Sequence, residues 1–82
     1  RAFLFNTAWR DSRNENVSKE VSMLKALAGT LVNKVMYDCL QFHGGMGYMR
    51  ESAIERMTRD ARVQAIGGGA TEVMLDEVAK RL

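Results

Sequence analysis

Apolar positions recur at helical spacing along almost the whole chain. Ala2, Phe5, Ala8 and Trp9 mark one face of a helix over residues 2–12, and Asp11-Ser12-Arg13-Asn14-Glu15-Asn16 then breaks the pattern with turn-prone polar residues. Ser18 is placed to cap a long second helix, with Glu20 in its first turn where a negative charge favours the helix dipole. Val21, Leu24, Ala28, Leu31 and Val35 form its inward stripe, which Met23, Leu27 and Met36 widen, so this helix is expected to touch several partners. Gly29 interrupts it at about 1 kcal/mol of helix propensity relative to alanine, which another helix passing close would offset. The stripe runs on to Phe42, and Gly44-Gly45 stops the helix.

A third helix is expected over residues 51–63, with Ile54, Met57 and Ala61 inward and its arginines and carboxylates outward. Gly67-Gly68-Gly69 ends that segment. A fourth helix begins near Ala70 and carries Leu75, Val78 and Leu82 on one face. There is no proline and no strand-like alternation. The pattern predicts an all-α fold, an antiparallel up-and-down helical bundle of about four helices or a portion of one.

Length and charge narrow the picture further. With 82 residues the chain holds one core at most, and a formal charge of +2 gives a field too weak to point to nucleic acid. Arg50, Arg56, Arg59 and Arg62 cluster, but Glu51, Glu55 and Asp60 are interleaved with them, as on a solvated, salt-bridged helix face. The single cysteine, Cys39, excludes an internal disulfide and reads as a core residue. No apolar run approaches the roughly 20 residues that cross a bilayer. Arg1-Ala2-Phe3-Leu4-Phe5 reads as a helix entered partway, so the chain is expected to be the end of something longer.

Candidate chemistry is sparse. His43 and Cys39 do not complete a zinc site, and a lone histidine gives no independent signature of a nucleophilic triad. What remains is a pair of glycine turns, Gln41-Phe42-His43-Gly44-Gly45-Met46-Gly47-Tyr48 and Ile66-Gly67-Gly68-Gly69-Ala70-Thr71-Glu72. Each abuts a helix and can aim main-chain N–H groups at an anionic or electron-rich ligand. Neither matches a phosphate loop or a dinucleotide fingerprint.

These turns carry a resemblance. Gln41, Gly44-Gly45, Gly47-Tyr48, Glu51, Glu55, Arg59-Asp60, Ile66 and Gly69 match, in order and spacing, the C-terminal signature of the acyl-CoA dehydrogenases, and Trp9 and Ser18-Lys19-Glu20-Val21-Ser22-Met23 resemble the segment before it. The resemblance covers nearly the whole chain. It implies a partial domain, residues 1–82, from the C-terminal helical domain of an FAD-dependent enzyme that oxidises an acyl-CoA to its 2,3-enoyl form. It also implies an electron-transferring flavoprotein as partner, a homotetramer, and a bacterial cytoplasmic or mitochondrial matrix setting.

Residue by residue, the resemblance implies that Gln41, Phe42, His43, Gly44 and Gly45 touch the ADP part of an FAD bound mainly by a neighbouring subunit; the plainer alternative is a helix end that touches nothing. Ala70, Thr71 and Glu72 are implied to meet FAD as well. Ala70 stands where the family usually has a threonine, so one hydroxyl contact is missing, and Thr71 either takes over that contact or caps the last helix.

Gly68 occupies the position where many relatives place the glutamate that removes a proton beside the thioester. Long-chain and branched-chain types also lack it there and take the base from an earlier helix, so no catalytic residue is expected in this segment and the segment alone is expected to be inactive. Gly68 and Gly69 are implied to lie at the substrate. The alternatives are a related flavoprotein of the same fold, such as an acyl-CoA oxidase or a DNA-damage-induced member, and a non-enzymatic helical interaction module.

Overall fold

The computed structural model describes residues 1–82 as five α-helices and one 3-10 turn, without strands. The helices are α1 (Ala2–Ser12), α2 (Ser18–Phe42), α3 (Gly45–Tyr48), α4 (Ala53–Ala61) and α5 (Thr71–Lys80), and the 3-10 turn Arg62–Ala65 continues α4. The all-α expectation holds. The short α3 is an addition, and the segment expected to be helical over 51–63 starts two residues later and tightens into the 3-10 turn before it ends.

α2 is the axis of the molecule. Its 25 residues span roughly 37 Å at 1.5 Å each, most of the 47 Å long dimension, and α4, the 3-10 turn and α5 all pack along it. Gly29 shows how closely. A Cβ built there would lie 3.0 Å from both Ala65 Cα and Gln64 O, so the 3-10 turn rests against bare helix backbone, as the interruption of the stripe suggested.

Several expectations are corrected. Val17, not Ser18, is the N-cap residue of α2; it is buried at 6 % exposure, and Asn16 Oδ1 accepts the Ser18 N–H at 3.0 Å in place of a side-chain cap. Burial of the valine outweighs the hydroxyl cap, because an apolar side chain at that point reaches the core while serine does not. The occupied face of α2 is also rotated from the predicted stripe. Val21, Met23, Leu27, Leu31 and Val35 are exposed, while Ala26 and Gly29 are buried and Lys25, Val32, Asn33 and Met36 are half-buried. Small residues win that face because they allow backbones to approach closely.

On α4, Ala61 is inward as expected, with Ile54 half-buried, but Met57 is 51 % exposed at the rim of a groove. On α5, Thr71, Met74 and Val78 face inward while Leu75 is 55 % exposed and Leu82 lies open at the terminus. The run Val73-Met74-Leu75 offers two apolar faces, and the seating of Met74 against Gly69 selects the one that includes position 74. Cys39 is half-buried, not core.

α1 is attached more lightly. Arg10 links it to the connecting loop, with Nε 3.3 Å from Glu15 Oε1, and to the start of α2, with Nη1 3.3 Å from Glu20 Oε1. A hydrogen bond from its own main-chain N–H, and then Arg10, hold the Glu20 carboxyl below the usual range. Asn14 turns the chain between the two helices with φ 63, a conformation asparagine tolerates better than most residues.

Candidate cofactor and thioester site

The first glycine turn closes α2. His43 ends the helix, and its Nδ1 lies 2.8 Å from Cys39 O, which assigns a proton to Nδ1 because a carbonyl oxygen only accepts. Gly44 follows at φ 59, ψ −137, a region only glycine enters without strain, and its N–H donates to Gln41 O at 3.0 Å. Gln41, Phe42, His43, Gly44 and Gly45 are all exposed, Phe42 at 87 %. A Cβ added at Gly44 or Gly45 would meet nothing within 4 Å. The bare backbone here therefore serves no packing need within these 82 residues.

The second turn is more unusual. Gly68 and Gly69 take φ 72 and φ 120, and Ala70 is the N-cap of α5 with no side-chain hydrogen bond. Thr71 is the first helical residue, half-buried, and does not cap. None of the main-chain N–H groups of residues 68–73 donates to an acceptor in the protein; the first to do so is that of Met74, to Ala70 O. Two positive-φ glycines followed by an uncapped helix start thus leave six successive donors free, with the helix dipole adding positive potential. Such a row fits a ligand oxygen or an electron-rich ring. Glu72, exposed in the first turn, is the one side chain of opposite sign there.

The structure does not bring the two turns together. The second is tied to α2 at Lys25 and the first follows Phe42, 17 residues on, a separation of roughly 26 Å along the helix axis. Gln41, Phe42, His43, Gly44 and Gly45 form one group, and Gly68, Gly69, Ala70, Thr71 and Glu72 another.

What holds the second group in place is a polar seam absent from the sequence reading. Lys25 Nζ donates to Gln64 O at 2.6 Å and to Gly69 O at 3.2 Å, while Asn33 Nδ2 donates to Gly29 O at 2.8 Å and to Ala61 O at 3.0 Å. Lys25, Gly29 and Asn33 are spaced by four and share one face of α2. That spacing, polar residues at i and i+8 around a glycine, was the available signal.

The arginine cluster behaves as a helix face. Arg59 Nε lies 2.7 Å from Glu55 Oε1, and the hydrogen bond to Glu55 raises the guanidinium's already high pKa. Arg56 donates to Arg50 O.

The all-α segment thus presents two bare-backbone turns at helix ends, the second with unpaired main-chain donors. The family described as acyl-CoA dehydrogenase, C-terminal domain, matches residues 1–82. This chain belongs to that family. It is 43 % identical over its full length to the mitochondrial long-chain specific acyl-CoA dehydrogenase of Sus scrofa, covering 19 % of that protein. It is 37 % identical over 73 residues, 89 % of the chain and 19 % of the relative, to the caffeyl-CoA reductase-Etf complex subunit CarC of Acetobacterium woodii. A crystal structure of a probable acyl-CoA dehydrogenase from Mycobacterium abscessus superposes with a TM-score of 0.92 at 44 % identity, over 98 % of this chain and 21 % of that one. The chain spans about a fifth of the length of the curated relatives it matches. No helix is long and apolar enough to cross a membrane.

Proposed function

We propose that residues 1–82 are part of the C-terminal helical domain of an FAD-dependent acyl-CoA dehydrogenase that converts an acyl-CoA to its 2,3-enoyl product. The row of six free N–H groups at residues 68–73 carries this reading. Loss of a proton beside a thioester builds negative charge on the carbonyl oxygen, and a fixed main-chain donor at Gly68 would stabilise it without any side chain. Donors of this kind are worth roughly 3 to 4 kcal/mol. FAD, when bound, accepts the hydride from the adjacent carbon.

The same row supplies Ala70, Thr71 and Glu72 as cofactor contacts through backbone N–H, which offsets the threonine missing at position 70. Gln41 to Gly45 would meet a second cofactor portion. The roughly 26 Å between the two turns suits a site shared between protomers, each chain lending one turn to its own flavin and the other to a neighbour's. The exposed apolar side of α2, with Leu27, Leu31 and Val35, is consistent with packing in a larger domain and a homotetramer. Gly68 has no acid–base group, so the general base belongs to another part of the enzyme and the segment alone has no activity.

The relative named as a subunit of a reductase-Etf complex supports an electron-transferring flavoprotein as partner. It also favours a second reading, reduction of the enoyl double bond, since the donor row stabilises the same carbonyl charge in either direction. Bacterial cytoplasm and mitochondrial matrix both suit these chemistries.

The test is the absorbance of the purified full-length protein. A flavin spectrum that bleaches when a saturated acyl-CoA is added without oxygen is the expected result. A protein that binds no flavin overturns both directions, and bleaching only by an external reductant, with recovery on adding an enoyl-CoA, selects the reductase.

A further inference from the structure

The glycine run has no side chains with which to hold its own shape. Three successive glycines lose more conformational freedom on ordering than any other tripeptide, and residues 66 and 68–70 donate or accept little within the run itself. The run is nevertheless ordered, with Gly68 and Gly69 both at positive φ. Lys25 is the group that spans it. Its ammonium reaches Gln64 O on one side of the run at 2.6 Å and Gly69 O on the other at 3.2 Å, and neither carbonyl accepts any other protein hydrogen bond. The lysine stem lies alongside as well: a Cβ at Gly68 would be 3.8 Å from Lys25 Cε.

We infer that Lys25 is the positioning residue of the donor row: it fixes the glycine run through the Gln64 and Gly69 carbonyls, so that the N–H groups of residues 68–70 are already held in place when an acyl-CoA thioester binds. This rests on the functional reading above. Two effects follow from one contact. Bridging two carbonyls five residues apart removes the freedom of the run, which lowers the ordering cost at the moment of binding. A full positive charge on Gly69 O also polarises the peptide it belongs to, whose N–H is that of Ala70, and strengthens that donor toward the ligand. Asn33 performs the matching service one step earlier, at Ala61 O, and holds the end of α4 and not the glycine run.

A lysine that merely packed would be replaced without loss by methionine, which has nearly the same stem and no charge. Full-length protein carrying Lys25→Met and Lys25→Arg separates the cases by two measurements, amide hydrogen exchange at Ile66 and Gly67 beside the run and steady-state turnover of a saturated acyl-CoA. In Lys25→Met, exchange of the Ile66 and Gly67 amides, which donate to Val63 O, rises by about tenfold or more while the middle of α2 is unchanged, because only local opening is affected. Its kcat falls by roughly tenfold to a hundredfold with a smaller change in KM, as expected when a donor is misaimed in the transition state. Lys25→Arg restores most of both. Unchanged exchange at Ile66 and Gly67 in Lys25→Met overturns the inference, as does a kcat within about twofold of the parent. If the parent protein binds no flavin, the functional reading fails by itself and exchange alone decides whether Lys25 orders the run. A Lys25→Met protein that does not fold leaves the decision to Lys25→Arg, whose exchange must stay close to the parent's; a rise to the level of an unordered loop overturns the inference.

Discussion

Gly29 faces Ala65 so closely that a Cβ on the glycine would lie 3.0 Å from the alanine's Cα. The 3-10 turn that carries Ala65 leads directly into the glycine run, so this contact sets the height at which the run leaves α2. Substitution tests it. Gly29→Ala gains about 1 kcal/mol of helix propensity, but both close atoms are backbone and cannot step aside cheaply. Overpacking of that kind costs roughly 1 to 3 kcal/mol, so the net effect expected is destabilisation by about 1 kcal/mol, read as a lower denaturation midpoint of the full-length protein. A midpoint that rises would show that the turn yields.

Gly44 and Gly45 are neighbours with opposite requirements. An added Cβ meets no atom at either, yet Gly44 sits at φ 59 and Gly45 does not have positive φ. Gly44→Ala is expected to cost roughly 1 to 3 kcal/mol of stability from backbone strain alone. Gly45→Ala should leave stability within about 0.5 kcal/mol, as for an open surface site. If the cofactor approaches this backbone, Gly45→Ala lowers flavin affinity by about tenfold, the equivalent of 1.4 kcal/mol, in an equilibrium titration of the apoprotein. Undiminished affinity would leave the turn as a helix end and nothing more.

Thr7 is buried at 3 % exposure with its hydroxyl oxygen unpartnered. Valine has nearly the same shape and no group to desolvate, so Thr7→Val is expected to stabilise by about 1 kcal/mol, seen as a higher melting temperature. A lower one would mean that a group elsewhere in the full protein bonds to the hydroxyl.

Glu77 is held below the ordinary carboxylate range first by a hydrogen bond from Arg81 and then by one from Lys80. A depressed folded-state pKa adds stability that is present above the unfolded value, about pH 4.5, and is lost as pH falls through the folded value. Glu77→Gln should therefore narrow its gap in melting temperature to the parent below about pH 4.5, and the gap should also shrink with added salt because the pair is at the surface. A gap independent of pH would assign the effect to packing.

Much of the fold was legible in the chain. The helix over residues 2–12, the long helix to Phe42, the break at Gly44 and the start of the last helix beside Ala70 all follow from periodicity and from glycine placement. Gly29 was readable as a place of close approach because a glycine in a helix interior needs a reason. The faces were read less well. Leu75 and Met57 were expected inward and lie outward, and the stripe on α2 was placed on Val21, Leu31 and Val35 when the occupied side centres on Ala26 and Gly29. Apolar residues cover so much of α2 and α5 that amphipathic pattern allows more than one rotation of each.

The order of helices, the two bare turns and the family likeness are properties of the linear sequence, since they depend on spacing and on residues that lack or carry a Cβ. Which face of each helix meets α2, the reach of Lys25 to carbonyls on both sides of the glycine run, and the roughly 26 Å between the turns were decided in three dimensions. The reason is physical: a lysine 39 and 44 residues from its acceptors leaves no local signature, because the bond depends on how closely two backbones pack and not on what lies next to it along the chain.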